Sequence, residues 1–168
     1  MNTEELHHAL HQLPIMAYML GGVLASDQLP VEVADKPKFY VVNTDPSHLP
    51  GEHWTAFYFP KDKPAEYFDS LGKKPSHGFQ AFLERNSDIG YLYGKKRLQG
   101  YKSNTCGHFC LFYATYRCEL ELDINTVMEK FSDNLQENDG MVRQFVHGNF
   151  HLDAPQRKCM PSQVCSNI

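Results

Sequence analysis

The chain has 168 residues, of which 42% are hydrophobic and 21% charged, and its net charge at pH 7 is -4. This length favours one domain, and the composition excludes collagen-like, low-complexity and wholly disordered chains. The apolar stretch at 13–25 has no basic leader, contains Pro14, and is too short to span a bilayer. We therefore expect a soluble protein that is made without a secretory signal.

Charge and cysteine spacing exclude some partners. Residues 61–102 carry nine basic and five acidic side chains, densest at Lys73-Lys74 and Lys95-Lys96-Arg97. Nucleic-acid modules usually show a stronger basic excess, so we interpret these lysines as solvated turns and expect no nucleic-acid partner. The five cysteines include no CxxC pair, which argues against a disulfide framework and a common zinc site.

Hydrophobic periodicity and turn residues predict the following elements in chain order. They are an amphipathic helix at 3–13 capped by Thr3, a strand at 38–43, a hairpin of strands at 53–59 and 65–69, a helix around 79–83, an extended segment at 90–99, a buried helix at 106–117, a helix at 126–135 with a capping box at Thr126 and Glu129, and a helix at 140–147. The order predicts an α+β fold, in which a small, mostly antiparallel sheet packs against a buried helix carrying Cys106, with flanking helices. We expect a domain at 1–150 and a tail at 151–168.

Three residues suited to thiol chemistry occur in this framework. His53 begins one hairpin strand, Asp69 ends the other, and Cys106 begins the buried helix. If the strands pair, the first residue of one lies across from the last of the other, so His53 and Asp69 become neighbours. A carboxylate orients an imidazole and favours its cation, and a helix N-terminus stabilises a thiolate, so the three could form a nucleophile pair with its orienting acid.

Three further residues are candidates for the same site. The amide of Gln99, seven residues before Cys106, could join the Cys106 N–H in binding an oxyanion. Trp54 could form part of the substrate cleft, and Gly107 fits a place where backbone passes close to substrate. Each candidate also fits a structural role when taken alone: His53-Trp54 as a strand start, Asp69 as a turn residue and Cys106 as core.

The segments His53-Trp54, Asp69-Ser70-Leu71-Gly72 and Gln99-Gly100, followed by Ser103 and Cys106-Gly107, resemble the adenovirus-type cysteine endopeptidases. The clan of that family includes the SUMO-specific proteases. The resemblance implies Cys106 as nucleophile, His53 as general base and acid, Asp69 as orienting carboxylate and Gln99 as oxyanion donor. It also implies an endopeptidase that processes viral or virus-like structural precursors next to small residues such as Gly.

Two alternative enzymes stay open, beside a non-enzymatic binding module that kept the fold, which the intact triad disfavours. A deconjugating isopeptidase for SUMO or ubiquitin-like proteins is favoured by the Asp-Ser-Leu-Gly stretch, and an acyltransferase could use the same triad. The resemblance implies polypeptide substrates and a location in the virion and host cell interior, nucleus or cytoplasm. We expect a monomer with no membrane association, no cofactor and no metal.

Two departures from the adenoviral pattern concern activators. The adenoviral enzyme is basic and is stimulated by DNA, whereas this chain is acidic overall, so a DNA cofactor is not expected. The cysteine that tethers the adenoviral activating peptide corresponds here to Asp88, which excludes a disulfide-linked activator at that place. A noncovalent activating peptide remains compatible with the sequence.

Overall fold

Five strands form one mixed sheet in the computed structural model, which describes residues 1–152. The strands are β1 (Leu20–Leu24), β2 (Lys38–Asn43), β3 (Trp54–Phe59), β4 (Ala65–Phe68) and β5 (Tyr91–Tyr93). The helices are α1 (Thr3–Leu10), α2 (Met16–Met19), α3 (His77–Arg85), α4 (Cys106–Ala114), α5 (Ile124–Met128) and α6 (Leu135–Asn149). The α+β prediction is therefore confirmed. The predicted tail, including Cys159 and Cys165, lies outside the described residues apart from its first two positions.

The sheet has the order β1-β2-β3-β4-β5. The central pairs β2–β3 and β3–β4 are antiparallel, as the hairpin prediction requires, while the outer pairs β1–β2 and β4–β5 are parallel. Every residue of β3 is buried, which fits a strand that is covered on both faces.

Side chains on successive positions of the central strands point to opposite faces of the sheet. Phe39 and Ala56 enter one apolar cluster together with α1, α4 and α6. Tyr40 and Phe57 enter a second cluster with the apolar face of α3. The sheet therefore packs against α4 as expected, and α3 also covers its other face.

Helix α4 has no polar face because the sheet encloses it on one side and α1 and α6 enclose it on the other. All its residues except His108 are buried. Its far end continues as a π-helical turn at Thr115–Glu119. There the buried Arg117 forms a bidentate ion pair with Glu66 of β4, which satisfies two charges in the core.

Several boundaries differ from the sequence predictions because polar caps override the apolar pattern. Asn2, not Thr3, caps α1 by accepting from Glu5 N. Asp123 caps α5, so that helix begins at Ile124 and the predicted Thr126–Glu129 capping box is wrong; the helix ends at Met128. Asn134 caps α6, which is longer than the predicted 140–147. Within 90–99 only Tyr91–Tyr93 is strand.

None of the helices within residues 1–152 has the length and apolarity needed to cross a membrane.

Candidate active site

The sheet topology brings together His53, Asp69 and Cys106. His53 directly precedes β3 and Asp69 directly follows β4, and these antiparallel neighbours place both residues at one edge of the sheet. Cys106 is the first residue of α4, which packs on that sheet. The register differs by two positions from the expected one: Ala56 pairs with Phe68, so the position across from Asp69 belongs to Thr55.

The side chains of His53 and Asp69 nevertheless meet, with Nε2 of His53 2.7 Å from Oδ1 of Asp69. The same Oδ1 accepts a hydrogen bond from Leu71 N at 2.8 Å, which holds the carboxylate at the start of the turn. Asp69 is 3% exposed and His53 is 12% exposed, so little water competes for this contact. With Nε2 engaged by the carboxylate, Nδ1 is the ring nitrogen left to face Cys106.

Electrostatics couple His53 to Cys106. Burial lowers the pKa of His53, but hydrogen bonding and charge from Asp69 and Cys106 outweigh it and raise that pKa to about 9. Burial acts to raise the pKa of the Cys106 thiol, but the hydrogen bond to His53, followed by the Trp54 and Gly107 backbone and the His53 charge, lowers it below its ordinary value. These opposite shifts both move the pair toward a thiolate beside an imidazolium, which is a reactive form of cysteine.

A cleft of about 680 Å³ opens onto both groups, because His53 and Cys106 are among its lining residues. The sulfur is thus reachable although Cys106 is only 8% exposed. Trp54 lines the same cleft and donates from Nε1 to the Met1 carbonyl at 3.0 Å. Its ring is therefore fixed in place beside the pair.

Gln99 also lines this cleft, and its buried amide is oriented by two hydrogen bonds. Oε1 accepts from Ser70 Oγ at 2.7 Å, and Nε2 donates to Ser103 O at 2.7 Å. Because a carbonyl only accepts, the Ser103 contact identifies the nitrogen side of the amide. Nε2 carries a second hydrogen, which can bind an oxygen in the cleft.

Gly107 lies elsewhere than expected. A Cβ built on it would be 3.1 Å from Met1 Cβ and 3.4 Å from Leu6 Cδ2, and Gly107 is not among the described residues that line the cleft. The missing side chain makes room for the start of α1 beneath the site. The physical reason for glycine at this position is packing, and the residue differs in this from the other candidates.

Asp139 of α6 is a residue at the site that the sequence analysis missed. Its carboxylate is 6% exposed and accepts hydrogen bonds from Gly100 N at 3.1 Å, from Ser103 Oγ at 2.9 Å and from Thr105 Oγ1. All three donors belong to the loop between Gln99 and Cys106. A Cβ on Gly100 would be 2.6 Å from Asp139 Oδ2, which explains the glycine after Gln99.

The neighbouring Asn138 holds the beginning of the same loop. Its Nδ2 donates to Leu98 O at 3.2 Å, and its Oδ1 accepts from Ser132 N at 3.0 Å. Both polar residues share the buried face of α6 with Val142 and Val146. Two adjacent polar residues at core positions of an amphipathic helix were the sequence signal for this support, because buried polar groups must find hydrogen-bond partners.

The described residues contain no group of three or more His, Cys, Asp or Glu side chains that could hold a metal ion. What the cleft does contain is a thiol of lowered pKa, a base of raised pKa and an oriented amide donor. This set can attack a carbonyl carbon, hold the resulting oxyanion and transfer protons, which is the chemistry of acyl transfer through a thioester.

Comparison with known proteins gives a structural likeness only. No protein-family model and no curated protein matches the sequence. A crystal structure of the ASFV pS273R protease has a TM-score of 0.66 at 17% identity, over 90% of this chain and 67% of that one. A crystal structure of the Se-Met form of that protease has a TM-score of 0.53 at 23% identity, over 69% of this chain and 46% of that one.

The fold of this chain is therefore that of a known protease. The chain spans between about half and two thirds of the length of that protein, depending on the structure compared. At identities this low, the structural similarity establishes a shared architecture and nothing more, so the activity has to be argued from the site itself.

Proposed function

We propose that this chain is a cysteine endopeptidase with Cys106 as nucleophile, His53 as base and acid, Asp69 as its orienting carboxylate and Gln99 as oxyanion donor. The observation that carries the proposal is the 2.7 Å contact of Asp69 with His53, together with the presence of His53 and Cys106 in the lining of one open cleft. The similarity of fold to the ASFV pS273R protease supports it.

In the proposed reaction, the Cys106 thiolate attacks the carbonyl carbon of the scissile peptide bond. The carbonyl oxygen becomes an oxyanion bound by Gln99 Nε2 and the Cys106 N–H. The His53 imidazolium gives its proton to the leaving nitrogen, so the C–N bond breaks and a thioester remains. His53 then takes a proton from water, whose oxygen attacks the thioester. The acid product leaves and the thiolate–imidazolium pair is restored.

The substrates we propose are polypeptides cleaved next to small residues such as Gly. This preference, and a role in processing viral structural precursors, come from the resemblance to adenovirus-type endopeptidases. We propose further that the chain acts as a monomer, without metal and without DNA. Cleavage that is unchanged by chelator and by added DNA is the expected result.

The test is a peptide-library cleavage profile of the wild type beside Cys106→Ala. The proposal predicts cleavage by the wild type only. Labelling by a ubiquitin-like vinyl sulfone, without cleavage of linear peptides, would instead indicate a deconjugating isopeptidase. Acetyl-coenzyme A consumption without hydrolysis would indicate an acyltransferase.

A second test uses the other described cysteines as internal controls. Cys110 is fully buried, and burial raises the pKa of its thiol well above the ordinary value. Iodoacetamide at neutral pH should therefore alkylate Cys106 much faster than Cys110, and His53→Ala should slow this labelling. Equal labelling rates at both positions would contradict an activated Cys106.

A further inference from the structure

The cleft at Cys106 continues into a second cavity of about 630 Å³. The two cavities share Met1, Gly51 and Trp54 as lining residues. The shared residues place the two cavities side by side, and together they are called the groove. A polypeptide lying along this groove would contact both cavities.

One end of the groove carries basic side chains. Lys73 and Arg97 both line the cleft at Cys106, although they are far apart in sequence. Their loops lie side by side because Leu98 N and Gln99 N both donate to Ser70 O, at 2.8 and 3.0 Å. The close approach of these loops brings both basic residues into the lining of the same cleft.

Two contacts fix the orientation of the Arg97 guanidinium. Its Nε donates to Gln99 O at 3.0 Å, and its guanidinium carbon lies 4.1 Å from the ring centroid of the exposed Tyr101. The two terminal guanidinium nitrogens are left to donate hydrogen bonds to a carboxylate. Among the described ion pairs of residues 1–152, none involves Arg97 or Lys73.

The other end of the groove has the opposite charge. The charged side chains that line the second cavity are Glu5 of α1 and Asp45 after β2, and its described lining includes no Lys or Arg. Glu52, beside His53, lines the adjoining cleft. A groove with separated charges of this kind favours a ligand with the complementary arrangement.

We propose that the groove selects polypeptides with an acidic residue on the Lys73–Arg97 side of the scissile bond and a basic residue on the Glu5–Asp45 side. This inference rests on the proposed endopeptidase function and adds a substrate class to it. Lys73, Arg97 and Asp45 are then specificity-determining residues, and the groove also sets the direction in which the chain lies.

The experiment uses three fluorogenic peptides with the same central residues. One carries acidic and basic residues on opposite sides of the scissile bond, the second carries them in reverse, and the third is neutral. An exposed charge contact contributes up to about 1 kcal/mol, or about fivefold. The wild type should therefore cleave one charged peptide about 5- to 20-fold faster in kcat/KM than its reverse, and salt should reduce the difference.

Charge-reversal variants with matched controls assign the effect. Lys73→Glu and Asp45→Lys should each reduce the preference. The double variant should abolish it, because Arg97 and Glu5 then offset the two introduced charges. Lys74→Glu and Asp62→Lys make the same changes at exposed positions that are not among the residues lining the groove. These two controls should keep the wild-type preference. Controls that shift it equally would overturn the inference.

Binding of the peptides to Cys106→Ala, measured by fluorescence anisotropy, separates this inference from the proposed function. Orientation-dependent binding without any wild-type cleavage would overturn the endopeptidase and support the groove. Cleavage with kcat/KM values within twofold for all three peptides would overturn the groove and leave the endopeptidase standing.

Discussion

Replacing Asp139 by alanine removes the carboxylate that anchors the loop between Gln99 and Cys106. Gly100 N loses its acceptor. The Ser103 and Thr105 hydroxyls also lose the carboxylate, and because they lie 2.7 Å apart only one of them can then donate to the other. Because Asp139 is 6% exposed, water cannot fully replace the carboxylate. The loop must then either shift or leave polar groups without partners.

The magnitude follows from the three hydrogen bonds. A buried polar group left without its partner costs about 1–3 kcal/mol, so Asp139→Ala should lower the free energy of unfolding by about 3–5 kcal/mol. Gln99 Nε2 is bonded to Ser103 O in the same loop, so a shift also displaces the proposed oxyanion donor. We expect kcat to fall about 100-fold, within the range for loss of such a donor, with a smaller change in KM.

Asp139→Asn distinguishes hydrogen bonding from charge. The asparagine oxygen can accept from Gly100 N–H, and its amide hydrogens can bond to the rotatable hydroxyls of Ser103 and Thr105. This variant should lose only about 1 kcal/mol, the difference between a charged and a neutral hydrogen bond. Asp133→Ala is the control, because Asp133 is 97% exposed and forms a surface ion pair with Lys96 that contributes little.

Urea unfolding gives the stability, and peptide cleavage well below the melting temperature of each variant gives kcat and KM. The reasoning is refuted if Asp139→Ala keeps kcat within twofold of the wild type. Equal losses in Asp139→Ala and Asp139→Asn would also contradict it, because the asparagine can satisfy the same donors.

Three further predictions concern the same site. Gln99→Ala should lower kcat about 100- to 1000-fold. It should also lower the free energy of unfolding by about 1–3 kcal/mol, because the buried Ser70 hydroxyl loses its acceptor. A rise in KM with unchanged kcat would exclude oxyanion binding. Since the pKa of His53 is raised to about 9, activity should fall as pH rises through that value. The stability that protonated His53 contributes should be complete below about pH 6.5 and should be lost as pH rises to about 9. Asp69→Asn should move this limb of the pH–rate profile to lower pH, and an unmoved limb would refute the assigned cause. Gly100→Ala should reduce both stability and kcat, because its Cβ would be 2.6 Å from Asp139 Oδ2. Gly78→Ala, with nothing within 4 Å inside α3, should instead gain about 0.5–1 kcal/mol by differential scanning calorimetry.

The secondary structure that local patterns control could be predicted from the sequence. The apolar runs of β2 and β3 and the unbroken apolar face of α4 were sufficient to locate those elements. Helix ends at Asn2, Asp123 and Asn134 were not located correctly, because several neighbouring polar side chains could serve as caps and packing selects among them.

The candidate site was partly predictable because its residue types are chemically specific. A histidine, an aspartate, a glutamine and a cysteine at strand and helix ends are a recognisable set. The structure brings His53, Gln99 and Cys106 to one cleft, with Asp69 hydrogen-bonded to His53 behind it. The strand register between His53 and Asp69 was two positions off. Both residues lie just beyond their strands, where side-chain reach decides the contact.

Sequence alone therefore determined the α+β class and the chemistry that this chain has available, since both depend on residue type and short-range spacing. Only the tertiary structure determined which residues hold the Gln99–Cys106 loop in place and which charged residues line the groove. Asp139 lies 33 residues after Cys106 in the sequence, and the loops that carry Lys73 and Arg97 lie side by side because Leu98 N and Gln99 N both donate to Ser70 O. Such contacts join distant segments by packing and hydrogen bonding, and no local pattern encodes them.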